Sequence, residues 1–334
     1  MTTLPREDLD SIVSGLGEKW SRLRGADVLV TGGTGFFGVW LVSALLHANT
    51  SLGLGLRVHV MARRPEQFLD RAPEYQHESQ ALGALRLIRA DIRNIHLPND
   101  TRLTHVVHAA TAASAALNDS DPIEMASVAA EGTRQVLELA RQHGVERMLL
   151  TSSGAVYGRN APSVTHVSED QMGVVDPLLL RNAYTEGKRL AELYCAAYAE
   201  KRGLAVTIAR CFAFVGPYLP LDAHFAIGNF MRDALQGKPI IVQSDGSSRR
   251  SYLYATDLVL WLLTLLLDGV SGRAYNVGSE HDVSVGELAR LIGEQCGTPV
   301  EVRGKPDPTR PIDAYVPCTR RIREELGVEG IVNL

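Results

Sequence analysis

The chain has 334 residues, 45% of them hydrophobic and 22% charged, with a formal net charge of −4. This length exceeds one average domain and leaves room for a sizeable core, and the composition excludes disordered and collagen-like chains. The mild acidity supplies no basic field for a polyanionic backbone, so nucleic acid is not expected as a partner.

The start of the chain carries acidic residues early and no apolar core of signal-peptide type. Leu9, Ile12, Val13, Leu16, Trp20 and Leu23 recur at helical spacing and predict an amphipathic helical extension over 1–25, packed on the fold or on another subunit. ADVLVT (26–31) then reads as a strand, a glycine-rich turn follows, and FFGVWLVSALLHA reads as a helix. Further short apolar runs at 56–62, 84–92, 104–110, 147–153 and 205–211 alternate with helical patterns at 125–144 and 183–203. Such alternation predicts a Rossmann-type, doubly wound parallel α/β sheet over 26–215. Beyond it, prolines interrupt short segments, which predicts a smaller α/β substrate lobe over 216–334, with a strand and helix free to return to the main sheet. The longest apolar run, 258–267, is too short for the roughly 20 residues of a membrane span and predicts a buried helix. Cys195, Cys211, Cys296 and Cys318 lack paired or metal-ligand spacing, so reduced thiols, a cytoplasmic setting and no metal are expected.

Thr31-Gly32-Gly33-Thr34-Gly35-Phe36-Phe37-Gly38 follows the first strand and opens the first helix, the context that a dinucleotide fingerprint requires. Gly32 would allow the tight turn, Gly35 the approach of a pyrophosphate, and Gly38 close helix–strand packing. The second strand ends in Ala62-Arg63-Arg64, without the acid that binds an NAD ribose. An arginine there suits a 2′-phosphate, so the cofactor is NAD(P), with NADP favoured over NAD. Tyr184 and Lys188 stand four residues apart on one helix face, a spacing that lets a cation sit beside a phenol acting as acid and base.

The G-x-x-G-x-x-G turn, Thr151-Ser152-Ser153-Gly154-Ala155-Val156-Tyr157-Gly158, Tyr184/Lys188 and Arg210-to-Pro217 together resemble the extended short-chain dehydrogenases/reductases, the NAD(P)-dependent sugar epimerases and dehydratases, over about 26–328. The resemblance implies that Ser153 bonds the reacting sugar oxygen while Tyr184 moves the proton and Lys188 lowers its pKa. It places Gly32, Gly35, Phe36, Phe37, Gly38, Arg63, Asp91, Ile92, Ala109, Ala110, Tyr184 and Lys188 around the dinucleotide. It also implies a nucleotide-diphosphate sugar held by Ser153, Asn229, Arg250 and Arg310, and a homodimer. Gly154 and Ala155 stand where the family's 4,6-dehydratases carry Asp-Glu, which disfavours that elimination. Ala213 and Ala129 replace asparagines of the family pattern. Hydride transfer at sugar C4 remains, with a 4-epimerase favoured and an NADPH-dependent 4-keto-sugar reductase as the alternative. A reductase of non-sugar ketones and, from another class, a non-catalytic dinucleotide-binding scaffold stay open.

Overall fold

The computed structural model describes residues 3–80, 83–97, 101–111, 115–159, 161, 163–223, 225–305, 307, 309 and 311–332. Strands β1 (Asp27–Thr31), β2 (Arg57–Ala62), β3 (Leu85–Arg89), β4 (His105–His108), β5 (Arg147–Ser153) and β6 (Val206–Cys211) belong to one sheet. Short strands follow: β7 (Phe214–Val215), β8 (Ile240–Val242), β9 (Arg249–Ser251), β10 (Leu253–Tyr254), β11 (Ala274–Val277), β12 (Asp282–Ser284), β13 (Val300–Val302) and β14 (Ala314–Tyr315). The helices are α1 (Arg6–Leu16), α2 (Phe36–Leu52), α3 (Gln67–Arg71), α4 (Gln76–Gln80), α5 (Ala115–Ser120), α6 (Pro122–Gln142), α7 (Ala183–Arg202), α8 (Ala226–Leu235), α9 (Ala255–Asp268), α10 (Val285–Cys296) and α11 (Arg320–Leu326).

Among the described residues the main sheet has seven strands, all parallel, in the order β11-β6-β5-β4-β1-β2-β3. The chain winds one way from β1 to β3, then restarts beside β1 with β4 and winds the other way. Strand order therefore reverses between β1 and β4, the place where open α/β sheets form a crevice at their carboxyl ends. β1 and β6 are buried along their whole length, Asp27, Thr207 and Arg210 included, so they show no alternation of buried and exposed positions. Helices α2 and α9 cover one face and share a core with α1, while α6 and α7 pack together over the other.

Residues 258–267 lie in α9, buried from Ala255 to Leu267, so the run is a core helix. Shortening one of its fully buried leucines, Leu263 for example, would cost about 2–5 kcal/mol. The N-terminal pattern divides where a continuous helix was expected. Gly17, at φ 54°, ends α1, and a 3-10 turn over Gly17–Leu23 carries Trp20 and Leu23 onward. Leu9, Ile12 and Leu16 are buried, and α1 packs on α9 and α2 of its own chain.

The region expected to form the substrate lobe is mixed. Helices α8 and α10 with β8, and the flanking β12 and β13, enclose a separate small core around Ile227, Phe230, Val242, Tyr252 and Leu288. Ser284 caps α10 with a capping box closed by Glu287. Between these pieces, α9 and β11 return to the main sheet, with Asn276 paired to Arg210 on β6.

Candidate active site

At the crevice, the ends of four adjacent strands line a groove of about 570 Å³. Gly32, Thr34 and Gly35 come from the turn after β1, Ala62, Arg63 and Arg64 from the end of β2, Asp91 and Ile92 from beyond β3, and Ala109 to Thr111 from beyond β4. Gly32 holds φ at 70°, and a Cβ on it would stand 2.7 Å from the Ala110 Cα. A Cβ on Gly38 would stand 2.3 Å from the Gly32 oxygen. Both positions therefore exclude any side chain, and the turn lies flat against β4 and the start of α2. Gly35 is the N-cap of α2 and contributes no side-chain cap, which leaves the first-turn N–H groups facing an anion-sized opening. The cradle fits a dinucleotide pyrophosphate.

Phe36 and Phe37 are set differently from Gly32 and Gly35. Their half-buried rings pack against the core, Phe37 edge-on to Phe214 at 5.1 Å, and neither residue lines the groove. Ile92 packs over Gly132 of α6, where a Cβ would meet it at 2.5 Å. Asp91 is gripped by Arg93 through both carboxylate oxygens, and this bonding holds its carboxyl at about 2. Arg63 and Arg64 are exposed on the groove, and Arg63 adds to the lowering at Asp91.

The residues expected to transfer the proton adjoin this groove through Thr111. Thr111 lines the groove and accepts a 2.9 Å hydrogen bond from Lys188 Nζ, which also donates to the Thr151 carbonyl at 2.8 Å. Lys188 is fully buried in α7, and desolvation pulls its pKa down to about 8. Its Nζ lies 6.0 Å from the centre of the Tyr184 ring. Tyr184, one turn earlier, has its phenol pushed up to about 12 by burial, with the Ser153 hydroxyl opposing the rise. Burial is the largest influence on this phenol, and the Lys188 ammonium is itself bonded to Thr111 and the Thr151 carbonyl. Ser153 ends β5 and accepts from the Ala155 N–H at 3.1 Å, which opens a 3-10 turn over Gly154–Tyr157 and aims the hydroxyl toward Tyr184.

Behind Ser153 a buried polar brace joins β5, β6, β11 and α7. Arg210 bonds both Glu192 oxygens, Glu192 accepts from Ser152 at 2.6 Å, and Tyr157 donates to Asn276 at 2.6 Å. The arginine of the Arg210-to-Pro217 stretch is therefore a structural pin. Both partners of the pair are about nine-tenths buried, and removing either would cost about 3–5 kcal/mol. The Ala129 departure also has a packing cause, since a Cβ on Gly187 of α7 would lie 2.9 Å from that of Ala129. Helices α6 and α7 cross closely there, and a longer side chain would part them.

The substrate-side residues expected from sequence are scattered. Asn229 on α8 accepts from Arg232 at 3.1 Å. Arg250 on β9 bonds the Asp313 carboxylate at 2.7 Å and the Asp313 carbonyl at 3.1 Å. Neither lines the groove, and Arg310 lies outside the described residues. Two contributors escaped sequence reasoning. Thr111 directly follows Ala109-Ala110, and its place just past the end of β4 is the sequence signal that points to it. Tyr315, two residues beyond Asp313, carried none, because only the pairing of β14 with β9 brings it to the site.

Comparison with known proteins accords with this geometry. Residues 28–278 match the sequence profile described as the NAD dependent epimerase/dehydratase family. The chain belongs to that family. It is an enzyme of the extended short-chain dehydrogenase/reductase type. UDP-glucuronic acid decarboxylase 1 of Xenopus tropicalis is 31% identical over 92% of this chain and 69% of the relative. UDP-glucuronic acid decarboxylase 6 of Arabidopsis thaliana is 30% identical over 92% of this chain and 85% of its own. Among solved structures, an epimerase from Methanothermobacter thermautotrophicus matches with TM-score 0.79 at 24% identity, covering 95% of this chain and 91% of that one. UDP-glucose 4-epimerase from Thermotoga maritima matches with TM-score 0.74 at 24% identity, covering 92% and 94%. These two likenesses concern the fold. Among the described residues no helix is long and apolar enough to cross a membrane, and no group of His, Cys, Asp and Glu could hold a metal.

Proposed function

We propose that this enzyme transfers hydride between C4 of a nucleotide-diphosphate sugar and a nicotinamide dinucleotide lying in the groove, with 4-epimerisation as the net reaction. The observation that supports this is the link from Ser153, Tyr184 and Lys188 to the dinucleotide groove through Thr111, which lines the groove and accepts from Lys188. The nicotinamide, when bound, accepts and returns the hydride and brings a positive charge while oxidised. Ser153 holds the reacting oxygen, and Tyr184 takes its proton and gives it back. Lys188, buried beside them, orients Thr111 and the end of β5. No carboxylate stands at Gly154 or Ala155 to drive loss of water, so the ketone made at C4 is returned to an alcohol.

A second reading follows from the relatives named as UDP-glucuronic acid decarboxylases. If C5 bears a carboxylate, oxidation at C4 creates a β-keto acid, and such acids lose carbon dioxide without a dedicated acid–base pair. Arg63 and Arg64, with no acid at the end of β2, favour NADP over NAD and keep a net 4-keto-sugar reductase as the third reading. Incubation with UDP-glucose, UDP-galactose, UDP-glucuronic acid and a UDP-4-keto-6-deoxy-sugar, with and without added cofactor, separates all three. A 4-epimer formed without cofactor consumption supports epimerisation, carbon dioxide release supports decarboxylation, and stoichiometric NADPH loss on a keto-sugar supports reduction. Absence of all three with every nucleotide sugar sinks the proposal.

A further inference from the structure

Gly154 is the position where the sequence departs most from the dehydratase pattern, and the structure shows what occupies the space. A Cβ on Gly154 would stand 2.6 Å from the Tyr315 hydroxyl, 2.9 Å from its ring carbon Cζ and 2.9 Å from Phe212 Cζ. Such separations are closer than any real Cβ contact, and the obstruction is a packed ring rather than a flexible tip. The Tyr315 ring lies 4.7 Å from that of Phe212, and its backbone is fixed by the pairing of β14 with β9 opposite Arg250. Its phenol has the Ser153 hydroxyl as a side-chain hydrogen-bond neighbour, as does the phenol of Tyr184, and Tyr184 lies close enough to raise the Tyr315 phenol electrostatically. Two phenols thus converge on one serine, one from α7 and one from the far end of the chain.

Building on the C4 redox reading, we infer that Tyr315 is a substrate-contacting, specificity-determining residue that holds the sugar oxygen next to the reacting one, and that Gly154 exists to admit it. Ser153 and Tyr184 together fix where the reacting oxygen sits. A third hydroxyl beside the same serine is then within reach of the neighbouring substituent, whether a hydroxyl or a carboxylate. Burial raises the Tyr315 phenol further above its ordinary value, so it stays a neutral donor at physiological pH and does not compete with Tyr184 for the transferred proton. A neutral donor there serves either an alcohol or an anion, whereas a carboxylate at 154 would repel an anion. Acidic as well as neutral sugars are therefore within its chemical range.

Tyr315→Phe keeps the packing on Phe212 and removes only the hydroxyl, so it isolates the contact. The expected result is a roughly 5- to 10-fold loss of kcat/KM, carried by KM, as for loss of one neutral hydrogen bond. The kcat pH profile set by Tyr184 and the affinity for UDP alone should not move. Calorimetric titration with UDP, UDP-glucose and UDP-glucuronic acid reads the same effect as a smaller advantage of the sugar over plain UDP. Gly154→Ala should reproduce the loss, and should cost much less when Tyr315 is already leucine. If the wild type turns over a UDP-sugar and Tyr315→Phe matches it in kcat/KM and in sugar affinity, the role of Tyr315 is overturned while the C4 reading survives. If the wild type gains no affinity from any sugar and turns none over, the C4 reading falls and this inference falls with it.

Discussion

The cofactor half and the substrate half of the active site are built on different principles. Around the dinucleotide groove the working surface is largely backbone and glycine: the flat turn from Gly32 to Gly38, the uncapped start of α2 and the small residues Ala109 and Ala110 at the end of β4. Around the proposed reacting end it is side chains from segments far apart in sequence, Ser153 from β5, Tyr184 and Lys188 from α7, and Tyr315 from β14. A backbone site is fixed by topology and tolerates little change at a few positions. A side-chain site is rebuilt by single substitutions, which is how one fold supports several chemistries.

This contrast can be tested from both sides. The largest effect is expected at Tyr184→Phe, where kcat should fall by roughly 10²- to 10⁴-fold, the usual contribution of a positioned acid–base group. Cofactor affinity, followed by quenching of protein fluorescence, should stay within about two-fold, because no ring atom lines the groove; a matching loss of cofactor binding would blur the division. Next comes Gly38→Ala, whose added Cβ would sit 2.3 Å from the Gly32 oxygen and push the turn off β4. Overpacking of this kind costs about 1–3 kcal/mol, and the thermal stabilisation expected from a bound nicotinamide dinucleotide should disappear. A variant that still gains several degrees from NADPH would show that the turn is more plastic than its geometry implies. Arg63→Ala should shift the ratio of NADP to NAD affinity about ten-fold toward NAD, the scale of one charge-assisted contact, and leave turnover with saturating NAD unchanged. An unaltered ratio of the two Kd values would assign Arg63 to solvent.

The smallest effect concerns pH and falls between the two halves. His108, at the end of β4, sits fully buried between the hydroxyls of Thr31, at 2.7 Å, and Thr133, at 3.1 Å. Burial, aided by the Lys188 charge, holds its pKa at about 3, below the ordinary 6.5. The unfolded chain therefore takes up this proton first as acid is added. The stability contributed by the neutral ring is complete above pH 6.5 and is lost progressively as pH falls toward 3. Thermal melts over that interval should decline less steeply for His108→Gln than for the wild type, and equal slopes would clear His108 of the effect.

Much of the first half was legible in the sequence, because strand, glycine turn and helix are local and each residue type has one physical reason to be there. The apolar run at 258–267 likewise announced a buried helix, though not the face of the sheet that α9 covers. The reacting end was legible only where chemistry and spacing coincide, at Tyr184 and Lys188, with Ser153 joining them through the resemblance. Tyr315 was illegible because its meeting with Gly154 depends on the register of a two-residue strand. Arg210 looked like part of a substrate element, and only its bonds to Glu192 and Tyr157 reveal a brace. The division at Gly17 had a visible glycine, yet helical periodicity on both sides concealed the break.

The return of β11 to the edge of the main sheet means that the chain passes between the two halves more than once. A lobe tethered at one point can swing like a lid on a single hinge. One bound through both the exit after β6 and the re-entry at β11 is restrained like a drawer on two rails, and can only slide or flex over short distances. The same wiring makes the first 215 residues unsafe as a separate piece, because cutting there strips β11 from β6 and leaves a strand that is buried along its whole length as an open edge.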